Sequence, residues 1–114
     1  MALKLSRLLT NACCTPPAKR ADGGGARIAG LCKALADPTR VEILELLAHS
    51  GEPLCACHLE SHFSLSQPTV SHHLRLLREA GLIRGERAGT WVYYQLERAA
   101  LAPLLGFLQR LAGP

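Results

Sequence analysis

Apolar positions along this chain recur in two periods. Ile28, Leu31, Cys32 and Leu35 fall at i, i+3, i+4 and i+7, the stripe of a short amphipathic helix. In "DPTRVEILELL" Asp37 is placed to cap a second helix. Pro38 takes its first turn, where a missing N–H costs nothing, and Val41, Ile43, Leu44, Leu46 and Leu47 supply the buried face. That helix should end near "HSGEP", with Gly51 as a left-handed cap and Pro53 beyond it. A short third helix fits residues 54 to 62. The strongest pattern follows in "FSLSQPTVSHHLRLLREAGLI", where Ser66 is a good N-cap, Pro68 suits the first turn, Val70, Leu74 and Leu77 form the inner stripe, and Gly81 stops the helix.

Beyond Gly81 the period shortens to two. "LIRGERAGTWVYYQL" predicts two short strands around a turn at Ala88 and Gly89, with Val92, Tyr94 and Leu96 on one face and Trp91, Tyr93 and Gln95 on the other. Leu101, Leu104, Leu105, Leu108 and Leu111 return to helical spacing, and a leucine face of that width suits a dimer seam between terminal helices. Two helices joined by the tight "FSLS" link have helix-turn-helix proportions, and the hairpin has those of a wing. The expected fold is mainly α with a small β-hairpin: a winged helix-turn-helix over residues 26–114, homodimeric. Residues 1–25, with "NACCTPPAKRADGGG" free of any apolar period, are expected to form a flexible arm carrying Cys13 and Cys14.

Composition agrees with helices: 48% of the 114 residues are hydrophobic and only 4% aromatic, so Leu, Ile, Val and Ala must build the core. The formal charge of +4 biases the protein towards an anionic partner, nucleic acid before others. No run approaches the ~20 apolar residues of a membrane span. Lys4 and Arg7 interrupt the leucines of the opening segment, which speaks against a signal peptide and for the cytoplasm. Five cysteines, an odd number, point away from a secreted disulfide framework and towards thiols with metal or redox roles. Of these, Cys32 lies on a core stripe and is expected to be buried.

On a helix opening at Ser66, the inner stripe leaves Gln67, Thr69, Ser71, His72 and Arg75 outside or on the flanks. Glutamine can pair bidentately with adenine, and serine and threonine can donate to or accept from base edges. Arg78, Arg84 and Arg87 stand where phosphate or wing contacts are expected. Double-stranded DNA is therefore the expected partner, with Ser66, Gln67, Thr69, Ser71, His72, Arg75, Arg78 and Arg87 as its contacts. An enzyme reading fails on its one motif: "CTPPAKR" satisfies Cys-x5-Arg, but Pro16 and Pro17 have no N–H to offer an oxyanion, and no strand precedes the loop.

"LCKALADPTRVEILELL", "LSQPTVSHHLRLLREAGLI" and "RAGTWVYYQL" resemble the ArsR/SmtB family of metal-sensing winged helix-turn-helix repressors, over about residues 27 to 112. "LCACHL" is similar to that family's metal box Leu-Cys-Val-Cys-Asp-Leu, with Ala56 for Val and His58 for Asp. The resemblance implies a dimer that sits on operator DNA until a metal or metalloid weakens the complex. Thiolates select soft ions. Cys55 and Cys57, two apart on a helix that turns ~100° per residue, can face one ion only by straddling the helix start. Related arsenic sensors carry a third cysteine one turn later, where this chain has Glu60, so the arm would have to supply the missing sulfur. The expected site draws three thiolates for trivalent arsenic or antimony, As(III) or Sb(III), from Cys13, Cys14, Cys55 and Cys57. The alternatives are four thiolates around Cd(II), Pb(II) or Zn(II), and a redox switch in which the arm cysteines form disulfides with Cys55 or Cys57. His58 and His62, at i and i+4, are expected to be solvated polar positions.

Overall fold

The computed structural model describes residues 24–113. Within them lie helix α1 (Gly24–Ala34), α2 (Pro38–Ser50), strand β1 (Leu54–Cys55), α3 (Ala56–Phe63), α4 (Gln67–Glu79), β2 (Ile83–Ala88), β3 (Trp91–Leu96), a 3-10 turn (Arg98–Leu101) and α5 (Ala102–Ala112). The arm cysteines Cys13 and Cys14 lie outside the described residues. No helix among them is long and apolar enough to cross a membrane.

Each helix starts and stops for a local reason. Asp37, in extended conformation, accepts the N–H groups of Thr39 (2.9 Å) and Arg40 (3.2 Å) and so caps α2. Gly51, at φ 72°, ends it in the left-handed conformation that glycine adopts without strain. After α4, Gly81 (φ 80°) turns the chain so that the Leu82 N–H reaches back to the Leu77 carbonyl at 3.0 Å. Leu82 and Ile83 then enter the core directly.

β2 and β3 pair antiparallel from Ile83↔Leu96 to Ala88↔Trp91, leaving Gly89 and Thr90 as a two-residue hairpin loop with Gly89 at φ 67°. The expected alternation holds on its inner face, where Tyr94 is buried and Val92 and Leu96 pack against the core. Leu54 and Cys55 correct the sequence reading. They are a third strand paired with β3 (Leu54↔Tyr94, Cys55↔Tyr93), so the following helix begins only at Ala56.

One core joins all of this: Ile43 of α2, Leu59 of α3, Val70, Leu74 and Leu77 of α4, and Leu82 are fully buried. α1 packs on α5, contributing Leu31 and Ala34, while Leu104 is the buried residue of α5. No polar or charged side chain among the described residues is buried. The architecture is a winged helix-turn-helix, with α3 and α4 as the two-helix unit and β2–β3 as the wing.

Candidate nucleic-acid interface and thiol site

The burial of Val70, Leu74 and Leu77 fixes which face of α4 looks outward, because residues three and four apart share a face. Ser66 caps the helix: its Oγ accepts the Thr69 N–H at 3.4 Å and lies 2.9 Å from the Thr69 Oγ1. Ser64, at φ 54°, makes the left-handed step that ends α3, and the half-buried Leu65 anchors the short turn. Gln67, Ser71, His72, Arg75 and Arg78 are exposed, as are Ser66 and Thr69, and Arg87 is exposed on the wing. The Arg75 guanidinium lies 3.2 Å from His72 Nδ1, so those two side chains share one patch of the outer face. Arg84 is already committed, in a 2.8 Å ion pair with Glu97. Trp91 stands 56% exposed beside the hairpin tip.

The inner flank of α4 is held by a polar clamp that sequence reasoning read only in part. Arg40 donates from Nε to the Ala34 carbonyl (2.7 Å) and from a terminal nitrogen to that of Lys33 (3.3 Å), satisfying the C-terminal end of α1. Its other terminal nitrogen lies 3.3 Å from His73 Nδ1 on α4, and His73 in turn is 3.9 Å from the Asp37 carboxylate. One arginine of "DPTR" thus ties α1 and α2 to the back of α4. Partial desolvation pulls the Asp37 carboxyl upward. The Arg40 and Thr39 backbone N–H groups, with His73 and Arg40 nearby, outweigh this and hold it below its ordinary value.

Cys55 and Cys57 straddle the start of α3. Cys55 is a buried strand residue at the N-cap position (φ −81°, ψ 158°), and Cys57 is the exposed second residue of the helix. This is the one arrangement in which residues two apart can meet, and their sulfurs do meet, joined in a disulfide. The sequence predicts free thiols here, with any disulfides running to the arm, and the Cys55–Cys57 bond corrects that expectation. His58 is not an idle polar position: its Nδ1 accepts the Cys55 N–H at 3.3 Å. The two sulfurs and a ring nitrogen of His58 lie within 4.8 Å of one another. His62 stays exposed, its ring edge-on to Phe63.

Cys32 corrects another expectation, for it is a free and exposed thiol. The inner face of α1 is centred between Leu31 and Ala34. One residue beyond Leu31, Cys32 is turned ~100° away from it.

Residues 37–84 match the family described as bacterial regulatory protein, arsR family. The chain is 44% identical over 75 residues to an arsenical resistance operon repressor of Staphylococcus aureus, spanning 66% of this chain and 70% of that protein. It is 50% identical over 66 residues to the arsenical resistance operon repressor of Escherichia coli K12, spanning 58% of this chain and 56% of that one. Its structure superposes, with a TM-score of 0.62 and 28% identity, on a homodimeric winged helix-turn-helix DNA-binding domain from Mycobacterium bovis, covering 84% of this chain and 90% of that one.

Proposed function

The chain belongs to the ArsR family of bacterial regulatory proteins, and from that premise we propose that it is a homodimeric repressor released from operator DNA when arsenite or antimonite binds its cysteine thiolates. The observation that carries this reading is the position of the thiol pair. Cys55 and Cys57 sit at the start of α3, and α3 leads through a short turn into α4, whose exposed face carries Gln67, Thr69, Ser71, His72 and Arg75. A ligand that reorders the start of α3 therefore acts on the same two-helix unit that reads DNA.

Gln67 and Ser71 meet base edges, while Arg78 and Arg87 meet phosphates and set the register. α5 presents Leu105, Leu108 and Leu111 for a second copy, which places two reading helices on one duplex. The inducer is held by three thiolates chosen from Cys13, Cys14, Cys55 and Cys57, because trivalent arsenic takes three sulfurs and keeps a lone pair in the fourth direction. Binding requires the dithiol form of Cys55 and Cys57. Release is a population shift: the inducer binds the DNA-incompetent dimer more tightly than the competent one.

The test is the fluorescence anisotropy of labelled DNA from the upstream region of the protein's own gene, titrated with fully reduced protein and then with arsenite. The expected result is release at near-stoichiometric arsenite, and Cys55→Ser and Cys57→Ser variants that still bind DNA but no longer let go. Binding that ignores arsenite and fails only after peroxide would replace this reading with a redox switch.

A further inference from the structure

Arg40 bridges α1 and α4 beside a gap between them. It donates to the Ala34 carbonyl at 2.7 Å and to that of Lys33 at 3.3 Å, gripping the last turn of α1, and α1 packs on α5. Its remaining terminal nitrogen lies 3.3 Å from His73 Nδ1, midway along α4. Gly30 and Ala34 of α1 and Leu76 and Glu79 of α4 line a cavity of about 270 Å³ that Arg40 also borders. Packing on that flank of α4 is therefore incomplete, and the apolar contacts of Val70, Leu74 and Leu77 carry no direction of their own. The His73 side chain, 12% exposed, supplies a directional contact. A helix with its side chains has a radius of ~5–6 Å, so a roll of ~20° about its axis carries the tips of Gln67 and Ser71 ~2 Å sideways. That breaks hydrogen bonds to base edges, whose lengths span only ~0.5 Å.

We propose that Arg40 and His73 are positioning residues for DNA reading: their contact fixes the roll of α4 and so aims Gln67 and Ser71 at base edges. The inference rests on the DNA-reading role proposed for α4 above and is independent of the inducer.

The contact has a definite protonation state. A guanidinium only donates, so His73 accepts on Nδ1 and carries its proton on Nε2. A proton taken from solvent onto Nδ1 sets donor against donor and cation against cation, and the ring then turns to the Asp37 carboxylate, 3.9 Å away. Around the ring stand Asp37 and Arg40 from the start of α2 and His72 on α4, its ring centroid 5.8 Å off, with Lys33 of α1 and Glu79 of α4 bordering the adjoining cavity. The Asp37 carboxyl, held below its ordinary value, stays ionised in mild acid and receives the imidazolium. Histidine is the side chain that ordinarily changes charge between about pH 5 and 8, so mild acid exchanges the Arg40 contact for the Asp37 one.

The experiment measures the affinity of the full, reduced chain for labelled DNA from the upstream region of its own gene and for unrelated DNA of the same length, at about pH 8 and about pH 5.5. Helical circular dichroism is the folding control. At the higher pH the ratio of the two affinities should fall at least ~10-fold in His73→Leu, which keeps the bulk and loses the acceptor. His73→Asn should keep the ratio, because its Oδ1 stands where Nδ1 does and accepts the Arg40 N–H. Partial unfolding lowers both affinities alike and leaves the ratio unchanged, so the ratio separates positioning from stability. Acidification should lower the ratio in wild type and leave it in His73→Asn, while His72 is common to both. An unchanged ratio in His73→Leu, an equal loss in His73→Asn, or the same acid response in wild type and His73→Asn would each overturn the proposal. Wild-type protein that binds both DNAs equally at the higher pH would sink the DNA-reading assignment itself, and this inference with it.

Discussion

Leu108→Glu should dissociate the dimer, and the size of the effect follows from α5. Leu104 is 8% exposed against its own subunit, whereas Leu105, Leu108 and Leu111 are 57%, 50% and 68% exposed. The uncovered portion of those three amounts to a little under two whole leucine side chains. At about 1.5–3 kcal/mol for each fully buried leucine, a partner would gain about 3–5 kcal/mol from one copy and about 5–10 kcal/mol from both. Association itself costs about 4–15 kcal/mol, so this seam has little to spare. Replacing Leu108 in both copies removes about 1.5–3 kcal/mol of burial and sets two carboxylates in an apolar contact, which weakens the dimer at least ~10–100-fold. Sedimentation of the full chain over a concentration series measures this directly, with helical circular dichroism as the folding control. Arg110→Glu places a carboxylate at an exposed position ~160° round the helix from Leu108, and should leave the dimer intact. An undisturbed Leu108→Glu dimer, or equal effects of the two substitutions, would show that α5 does not form the seam.

Other perturbations reach the remaining parts of the account. Asp37→Ala removes the acceptor for the Thr39 and Arg40 N–H groups, so thermal unfolding should come earlier at neutral pH. Because the Asp37 carboxyl is held below its ordinary value when folded, its contribution is present above the unfolded pKa of ~3.9 and fades as pH falls through the folded value. The difference in melting temperature between wild type and variant should therefore shrink in acid. In the wing, a Cβ at Gly85 would lie 3.0 Å from Tyr94 Cε1 and 3.3 Å from Val92 Cγ1. Gly85→Ala should therefore destabilise the fold by about 1–3 kcal/mol in denaturant titrations, and no loss would mean that the Tyr94 ring yields freely. Gln67→Ala should cost about 1–3 kcal/mol on the operator and little on unrelated DNA. Arg78→Ala should weaken both alike and make the slope of log affinity against log salt shallower by about one.

Much of the fold could be read from residues with strong local preferences. Asp37 with Pro38 and Ser66 with Pro68 mark helix starts that the structure keeps, and the alternation in "WVYYQL" yields β3 with its faces correctly assigned. What escaped depends on contacts distant in sequence. β1 is two residues long, too short to show a period, and exists because Tyr93 and Tyr94 lie alongside it. Cys32 fits the apolar stripe of α1 as well as Leu31 does, and only the packing of α1 on α5 decides which of them points inward. The clamp from Arg40 to His73 joins residues 33 apart in sequence, and Arg84 is neutralised by Glu97 across the hairpin base. In the thiol site, spacing gave only the condition that Cys55 and Cys57 must straddle a helix start to meet; the helix expected from residue 54 would have enclosed both, and it is the pairing of Leu54 and Cys55 with β3 that moves the start to Ala56. The role of His58 did not follow from spacing, because histidine is an uncommon capping partner and its ring has no preferred position in the sequence pattern.

An energetic link between the thiol site and the DNA-reading face shows itself in the arsenite affinity of the reduced protein, measured twice, free and saturated with operator DNA. Linkage requires that arsenite bind the DNA-bound dimer more weakly by the same factor, ~5–150-fold, by which it weakens DNA binding. Equal affinity in the two states would contradict the account, whatever arsenite does to the protein by other routes.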